Sequence, residues 1–231
     1  MSGIVDNFLS VKERIEKAAL RVGRNPEEIK LVAVSKTVGV EKVKEAISAG
    51  ATILGENYVQ DAKEKIEEIG HRVQWHMIGH LQSNKVKQAI NLFSMIQSVD
   101  RFSLAEAIDK RAKQSERRIN ILVQVNISGE ATKSGIDKEN ALSLISEIAN
   151  LKNINVEGLM TMPPYFTDPQ DARPYFKALR GLKEEIEGQR FGNISMKELS
   201  MGMTNDFEIA IEEGATIVRV GTAIFRPSPF S

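Results

Sequence analysis

Lys36 is the residue of this sequence whose type and position point most directly to covalent chemistry. It follows Leu31–Ser35, an apolar and β-branched run that is typical of a buried strand. At such a strand end we expect the lysine stem to pack and the ammonium to lose part of its hydration, which favours a nucleophilic amine. The pattern predicts attack on a carbonyl compound, and an ordinary surface lysine at a strand end is the alternative.

Two segments near the C-terminus have the composition of an anion site. Ser200–Thr204 leads into a predicted helix, whose free N–H groups favour an anion. Gly221 and Thr222 combine close backbone approach with a hydroxyl, and Arg219 projects to the same side of its strand as Gly221. These features predict phosphate binding. Ordinary turn chemistry is the alternative, because Ser, Gly and Thr are common before helices.

Two histidines and an asparagine are further candidates. His76 and His80 have a spacing that could hold a metal on a helix, but Gly79 interrupts a strand-like run, so no metal site is predicted. We expect His76 to pack in the core and His80 to line a pocket. Asn57 either lines the same pocket or caps the helix that follows it.

Other polar and sulfur-containing residues are given structural roles. The charged run at 64–68, which includes Lys65, is interpreted as a solvated helix face. Met160, Met162, Met201 and Met203 are expected to fill gaps in the core rather than to bind ligands.

The elements that must position these residues alternate along the chain. Strands are predicted at Leu31–Ser35, Thr52–Leu54, Gln74–Ile78, Phe93–Val99, Ile119–Ile127, Val156–Met162, Glu198–Met201 and Ile217–Val220. Helices are predicted at Val40–Ala49, Tyr58–Ile69, Ser83–Ile90, Arg101–Arg117, Lys138–Ala149, Asp171–Ile186 and Asn205–Glu212, with Asp137 and Thr204 as N-caps. An extra helix, Ile4–Val22, precedes them.

This alternation predicts an α/β fold: one (β/α)8 TIM barrel with an extra N-terminal helix, spanning residues 1–231 as a single domain. A doubly wound open sheet is the alternative. In a barrel the candidate residues above would meet at the carboxyl ends of the strands.

Composition excludes several classes of function. The chain has 231 residues, with 31 basic and 31 acidic ones and no cysteine. A zero net charge gives no indication of a nucleic-acid or acidic-membrane partner, and thiolate chemistry is impossible. No signal peptide and no apolar stretch of about 20 residues is evident, so we expect a cytoplasmic protein without membrane attachment.

The motifs resemble those of the pyridoxal phosphate homeostasis proteins, stand-alone relatives of the alanine racemase N-terminal barrel. The matching segments are Val32–Lys36, Gly55–Gln60, Trp75–Lys85, Gln124–Ile127, Lys133–Gly135, Gly158–Met160, Ser200–Met203 and Val218–Phe225. They follow the family order over essentially the whole chain. The segment around His80 and the Ser200–Met203 run are highly specific.

The resemblance implies that Lys36 binds the aldehyde of pyridoxal 5′-phosphate (PLP) as a Schiff base. Arg219 would face the pyridine nitrogen, which would stay unprotonated because an arginine does not readily give up a proton. Asn57 would lie near the ring or its hydroxyl, and His80 would flank the ring.

The resemblance also implies that Ser200, with the backbone N–H groups of Gly221 and Thr222, holds the phosphate. Racemases add a C-terminal β-domain whose tyrosine, from a partner subunit, is the second acid/base. We expect this chain to lack that domain, and none of its tyrosines is assigned that role, so no catalytic residue is predicted.

The predicted function is therefore a monomeric PLP-binding protein of PLP homeostasis, which passes the cofactor transiently to apo-enzymes. A weakly active fold-type III PLP enzyme, such as an amino-acid racemase, is the alternative. A phosphosugar isomerase-like barrel without a cofactor is a more remote one.

Overall fold

Parallel strands closed into a barrel carry the polar residues described above. The structure is a computed structural model that describes residues 3–130, 132–189, 191–192 and 194–226. The strands within them are β1 (Lys30–Val34), β2 (Ile53–Glu56), β3 (Gln74–Met77), β4 (Met95–Val99), β5 (Ile119–Asn126), β6 (Ile136–Asp137), β7 (Ile154–Met160), β8 (Ile194–Ser200) and β9 (Ile217–Val220).

Eight of these described strands pair in the order β1-β2-β3-β4-β5-β7-β8-β9, and β9 pairs with β1 to close the ring. All of the pairings are parallel, and the two-residue β6 pairs only with the end of β5. Closure confirms the predicted TIM barrel and rules out the open sheet.

Helices surround the barrel. Those described are α1 (Ile4–Arg21), α2 (Val40–Ser48), α3 (Val59–Ile69), α4 (Val86–Leu92), α5 (Phe102–Gln114), α6 (Lys138–Ile148), α7 (Arg173–Gly188), α8 (Phe207–Glu212) and α9 (Thr222–Phe225). Short 3-10 helices lie at Pro26–Glu28, Ser83–Lys85 and Pro169–Ala172. The predicted N-terminal helix is confirmed as α1, which packs its apolar stripe against α8, α9 and α2. None of the described helices is both long enough and apolar enough to span a bilayer.

The start of α8 differs from the prediction. The helix begins at Phe207, and its N-cap is Asp206 rather than Thr204. The Asp206 carboxylate accepts a hydrogen bond from the Met203 N–H at 2.6 Å, which holds the preceding turn and leaves Thr204 outside the helix. Asp137 is the N-cap of α6 as predicted, but its side chain makes no capping hydrogen bond.

Strand bounds were least predictable where polar residues enter the strands. β8 begins at Ile194, four residues before the predicted Glu198, and its exposed Lys197 conceals the strand pattern. β2 continues to Glu56, a buried carboxylate that the sequence suggested was part of a loop. Tertiary packing, rather than local propensity, decides both.

Alternation along the strands divides the core into two parts. Val32 on β1 joins the barrel interior, where it packs with Ile53, Met95, Leu122, Met160 and Ile217. Ala33 points outward to the larger apolar cluster between strands and helices. This apolar layer fills the barrel interior below the carboxyl ends of the strands. It forms the floor of a cavity that the polar groups above it face.

Candidate functional site

A cavity of about 1200 Å³ opens at the carboxyl ends of the barrel strands. Six of the seven predicted site residues line it: Lys36, Asn57, His80, Arg219, Gly221 and Thr222. Ser200 is not among its lining residues. The cavity also contains a set that was not predicted as ligands: Met162, Tyr165, Met203, Thr204, Asn205 and Asp206.

Lys36 lies in a turn rather than in the strand. β1 ends at Val34, and the Val38 N–H donates to the Ser35 carbonyl at 3.0 Å across a turn in which Thr37 has a φ of 60°. Lys36 is exposed, which corrects the expectation of a packed stem, and it bonds to none of the described residues. Its amine is therefore open to a ligand in the cavity.

A buried ion pair lies directly behind that turn. Lys65 of α3 donates from Nζ to Glu56 Oε1 and to the Ser35 carbonyl, each at 2.6 Å. The Ser35 hydroxyl donates to the same Glu56 oxygen at 2.6 Å. The prediction that Lys65 belongs to a solvated face is wrong. Its spacing from Ala62 and Ile69, which are also buried, places it on the inner stripe of α3 and could have revealed this.

A chain of hydrogen bonds crosses the barrel interior beneath the cavity. The Arg219 guanidinium is 3% exposed and donates to Ser200 Oγ at 2.5 Å and to the Thr161 carbonyl at 2.8 Å. The Ser200 hydroxyl donates to Gln97 Oε1 at 2.6 Å. Gln97 Nε2 lies 2.9 Å from His76 Nδ1, so the amide donates and the His76 ring carries its proton on Nε2.

This arrangement changes the role of Ser200. Its hydroxyl hydrogen is taken by Gln97 and its oxygen accepts from Arg219, so the side chain holds the guanidinium rather than facing the cavity. His76 is buried as predicted and belongs to the interior chain.

Burial sets the charges of this layer. It lowers the pKa of Arg219 to about 10, and the nearby Asp206 carboxylate partly opposes that shift, so the guanidinium stays cationic at neutral pH. Burial also lowers the pKa of His76 to about 3, with a smaller contribution from the charge of Lys30, so the imidazole is neutral. Burial raises the pKa of Asp206, against the opposing effects of the Met203 N–H and Arg219.

Open backbone donors gather on the β8 and β9 side of the cavity. Within the described residues, the N–H groups of Thr204, Asn205, Gly221 and Thr222 donate to no protein atom, and all four residues line the cavity. The Ala223 N–H donates to Thr204 Oγ1 at 3.4 Å, which brings the two loops together. Such a group of free N–H donors suits a phosphate.

Thr204 and Gly221 give this cradle its hydroxyl and its close backbone approach. The hydroxyl that faces the cavity from the Ser200–Thr204 run is thus the one at its end, not the one at its start. A Cβ on Gly221 would lie 3.1 Å from the Val34 carbonyl oxygen, so a side chain there would press on β1.

Asn57 and His80 reach the cavity from adjacent loops. A Cβ on Gly79 would lie 2.4 Å from the Asn57 carbonyl oxygen, so glycine is required for these loops to meet. Asn57 does not cap α3, whose N-cap is Tyr58. The His80 side chain is 50% exposed and lines the cavity, with Nδ1 4.0 Å from Asp100 Oδ2.

The methionines divide between the two roles considered for them. Met160 and Met201 are buried and fill the core as predicted, whereas Met162 and Met203 line the cavity. In the part of the chain that the structure describes, no three His, Asp or Glu side chains are grouped in a way that could hold a metal ion.

Known proteins are similar to this chain in both sequence and architecture. The sequence model of the alanine racemase N-terminal domain matches residues 10–229. A pyridoxal phosphate homeostasis protein of Aquifex aeolicus is 46% identical over 216 residues, which cover 93% of this chain and 94% of the relative.

Two solved structures match closely. A protein from Bifidobacterium adolescentis superposes with a TM-score of 0.90 at 36% identity, over 96% of this chain and 94% of its own. PipY of Synechococcus elongatus, solved with PLP bound, gives a TM-score of 0.81 at 33% identity, over 93% of this chain and 99% of its own. The chain belongs to the alanine racemase N-terminal domain family and, within it, to the pyridoxal phosphate homeostasis proteins.

Proposed function

We propose that this protein binds PLP, holds it as a Schiff base on Lys36 and takes part in PLP homeostasis. One observation carries the proposal: the open amine of Lys36 shares a cavity with four unused backbone N–H donors and a buried guanidinium. An aldehyde, a phosphate and a ring nitrogen are the three groups that this set suits. The names of the relatives and the PLP in PipY support the same ligand.

The residues of the cavity fit the cofactor part by part. The N–H groups of Gly221 and Thr222, with the Thr204 loop, would hold the phosphate at the β8 and β9 side. When bound, PLP supplies an aldehyde that condenses reversibly with an amine, releasing water, and a ring that withdraws electrons. Lys36 would provide that amine.

Arg219 would face the ring nitrogen. Two of its N–H donors are fixed on Ser200 and the Thr161 carbonyl, and a guanidinium has five, so donors remain for a ligand. Because it stays cationic, it would leave the ring nitrogen unprotonated and make the ring a weaker electron acceptor. Asn57 and His80 would contact the ring from the opposite loops.

A carrier fits this cavity better than a racemase does. Racemisation needs a second acid/base on the face opposite the lysine. Tyr165 is the tyrosine that lines the cavity, and it is 82% exposed at the rim. The relatives are named as homeostasis proteins rather than as enzymes, which supports the same conclusion. Apo-enzymes would be the transient recipients of the cofactor.

The visible spectrum of the purified protein, followed by borohydride reduction and peptide mapping, tests the proposal. We expect a yellow protein with a pyridoxyl adduct on the peptide that contains Lys36. A colourless protein that takes up no added PLP would contradict it. Exchange of amino-acid α-hydrogens with solvent, followed by NMR, would show an enzyme instead of a carrier. Cytoplasmic location and a monomeric state stay predictions from the sequence.

A further inference from the structure

The ion pair between Lys65 and Glu56 is the strongest feature of the molecule that PLP binding as described above does not use. The Glu56 side chain is fully buried, and Lys65 is 7% exposed. Glu56 is the last residue of β2 and Lys65 belongs to α3, and their side chains meet between that helix and the barrel wall. They lie on the opposite side of the β1–β2 backbone from the cavity.

The contacts of this pair converge on one residue. Ser35 receives the Lys65 Nζ hydrogen bond on its carbonyl and gives its hydroxyl to Glu56, so both partners of the ion pair hold it. The same carbonyl accepts the Val38 N–H that closes the turn carrying Lys36. With the Ser35 N–H, which donates to the Gly55 carbonyl at 3.0 Å, the residue just before the exposed lysine is held by four hydrogen bonds.

The energetics of the pair suggest a role other than stability. A buried ion pair must repay the desolvation of two charges, and apolar residues of similar volume are often as stable or more so. Here the repayment is incomplete, since Glu56 Oε2 is buried with no hydrogen-bond partner among the described residues. The pair does, however, fix the orientation of Ser35 through hydrogen bonds, which apolar side chains could not make.

We infer that Lys65 and Glu56 are positioning residues, which hold the Ser35–Val38 turn so that Lys36 projects into the cavity. The inference rests on the proposed function, because Lys36 matters as the anchor of PLP. The pair acts on the lysine and not on the phosphate cradle, which lies at β8 and β9. Losing it should therefore impair covalent capture and spare the binding of ligands without an aldehyde.

The test is the double variant Lys65→Met/Glu56→Gln, which removes both charges at nearly constant volume. We expect it to fold, with the Val38 amide exchanging with solvent about tenfold faster in the protein without PLP, because the turn has lost its support. PLP should bind about tenfold more weakly, as for the loss of one hydrogen bond from a charged donor. Pyridoxine 5′-phosphate, which has no aldehyde, should bind as it does to the wild type.

A matched control is Lys30→Met/Glu198→Gln, which removes an ion pair at the other end of β1. This variant should keep the wild-type exchange rate at Val38 and the wild-type affinity for PLP. If the double variant does not fold, Ser35→Ala removes the hydroxyl alone and should speed exchange at Val38 to a smaller extent. In that case an unchanged exchange rate would overturn the inference.

Other results are equally decisive. Unchanged exchange at Val38 in a folded Lys65→Met/Glu56→Gln would show that the pair does not hold the turn. Faster exchange with unchanged PLP affinity would show that the turn does not position Lys36. Equal weakening of PLP and pyridoxine 5′-phosphate would assign the pair a merely structural role. A wild type that binds no PLP would refute the proposed function, while the exchange data would still decide whether the pair holds the turn.

Discussion

The two ends of β1 carry lysines with opposite surroundings. Lys30, at the amino end, is ion-paired with Glu198, and the other oxygen of that carboxylate accepts the Thr216 hydroxyl at 2.6 Å. Lys36, just past the carboxyl end, is exposed in the cavity and bonds to none of the described residues. Lys30 is the first residue of β1, whereas Lys36 lies in the turn that follows Val34, the last residue of the strand.

The difference shows how the barrel separates stability from chemistry. At the amino end, the polar groups satisfy one another, and Lys30 is held by its ion pair with Glu198. At the carboxyl end, an amine, several N–H groups and a guanidinium with spare donors are left for a ligand. Residue type alone does not distinguish the two lysines. They differ in the residues that surround them at the two ends of the strand.

Replacing each of the two lysines by alanine, in separate variants, tests this comparison most strongly. Lys36→Ala should lose the borohydride-reducible pyridoxyl adduct completely and keep its fold, whereas Lys30→Ala should keep the adduct. Peptide mass mapping after reduction measures both, with circular dichroism as the check of folding. An adduct that persists in Lys36→Ala would move the anchor to another lysine, Lys133 first.

The buried polar layer between the two ends of the barrel includes His76, and we expect it to make the stability of the protein depend on pH. His76 has a pKa of about 3 in the fold and an ordinary value of 6.5, so below pH 6.5 the unfolded chain binds a proton that the fold excludes. Its contribution to the free energy of unfolding should therefore fall as the pH falls from 6.5 toward 3. The loss amounts to about 2 kcal/mol between pH 7 and pH 5.

Urea denaturation of the wild type and His76→Asn at these two pH values measures that contribution. The asparagine oxygen can still accept from Gln97, but it does not titrate. We expect the variant to lose about 2 kcal/mol less than the wild type over this interval. The same loss in both proteins would show that the imidazole does not stay neutral in the fold.

The smallest expected effect concerns the phosphate side of the cavity. There, the roles of the Thr204 and Ser200 hydroxyls can be distinguished from each other. Thr204→Ala should weaken PLP binding about fivefold, about 1 kcal/mol, with little change in stability. Ser200→Ala should lower the free energy of unfolding by about 1–2 kcal/mol, because buried donors and acceptors on Arg219 and Gln97 lose their partner. Fluorescence titration with PLP measures the affinity, and urea denaturation measures the stability. A fivefold loss of PLP affinity in Ser200→Ala without destabilisation would show that the Ser200 hydroxyl binds the phosphate.

Periodicity in the sequence predicted the alternating strands and helices and the strand ends near Lys36, Arg219 and Gly221, but the pairing of β9 with β1 was needed to exclude an open sheet. Strand and helix periods are local signals, and the carboxyl end of each barrel strand follows from them. The burial of Lys65 was not predicted because a charged residue in an amphipathic helix is normally solvated. Its helical spacing from Ala62 and Ile69 indicated the inner face, but its partner Glu56 stood in a segment predicted as a loop, so the ion pair was not predicted.

Ser200 shows the same limit at a single side chain. Its place at the end of β8 follows from the sequence, yet one hydroxyl can point to a phosphate or to a neighbour, and the choice depends on residues far away in the chain. Here Gln97 and Arg219, 103 and 19 positions distant, take it.

The sequence by itself therefore determined the fold class and the end of the barrel at which Lys36, Arg219 and Gly221 lie, since these depend on local patterns and on residue type. The tertiary structure decided which polar groups are consumed within the protein and which remain open, because hydrogen bonds and ion pairs form between strands that only folding brings together.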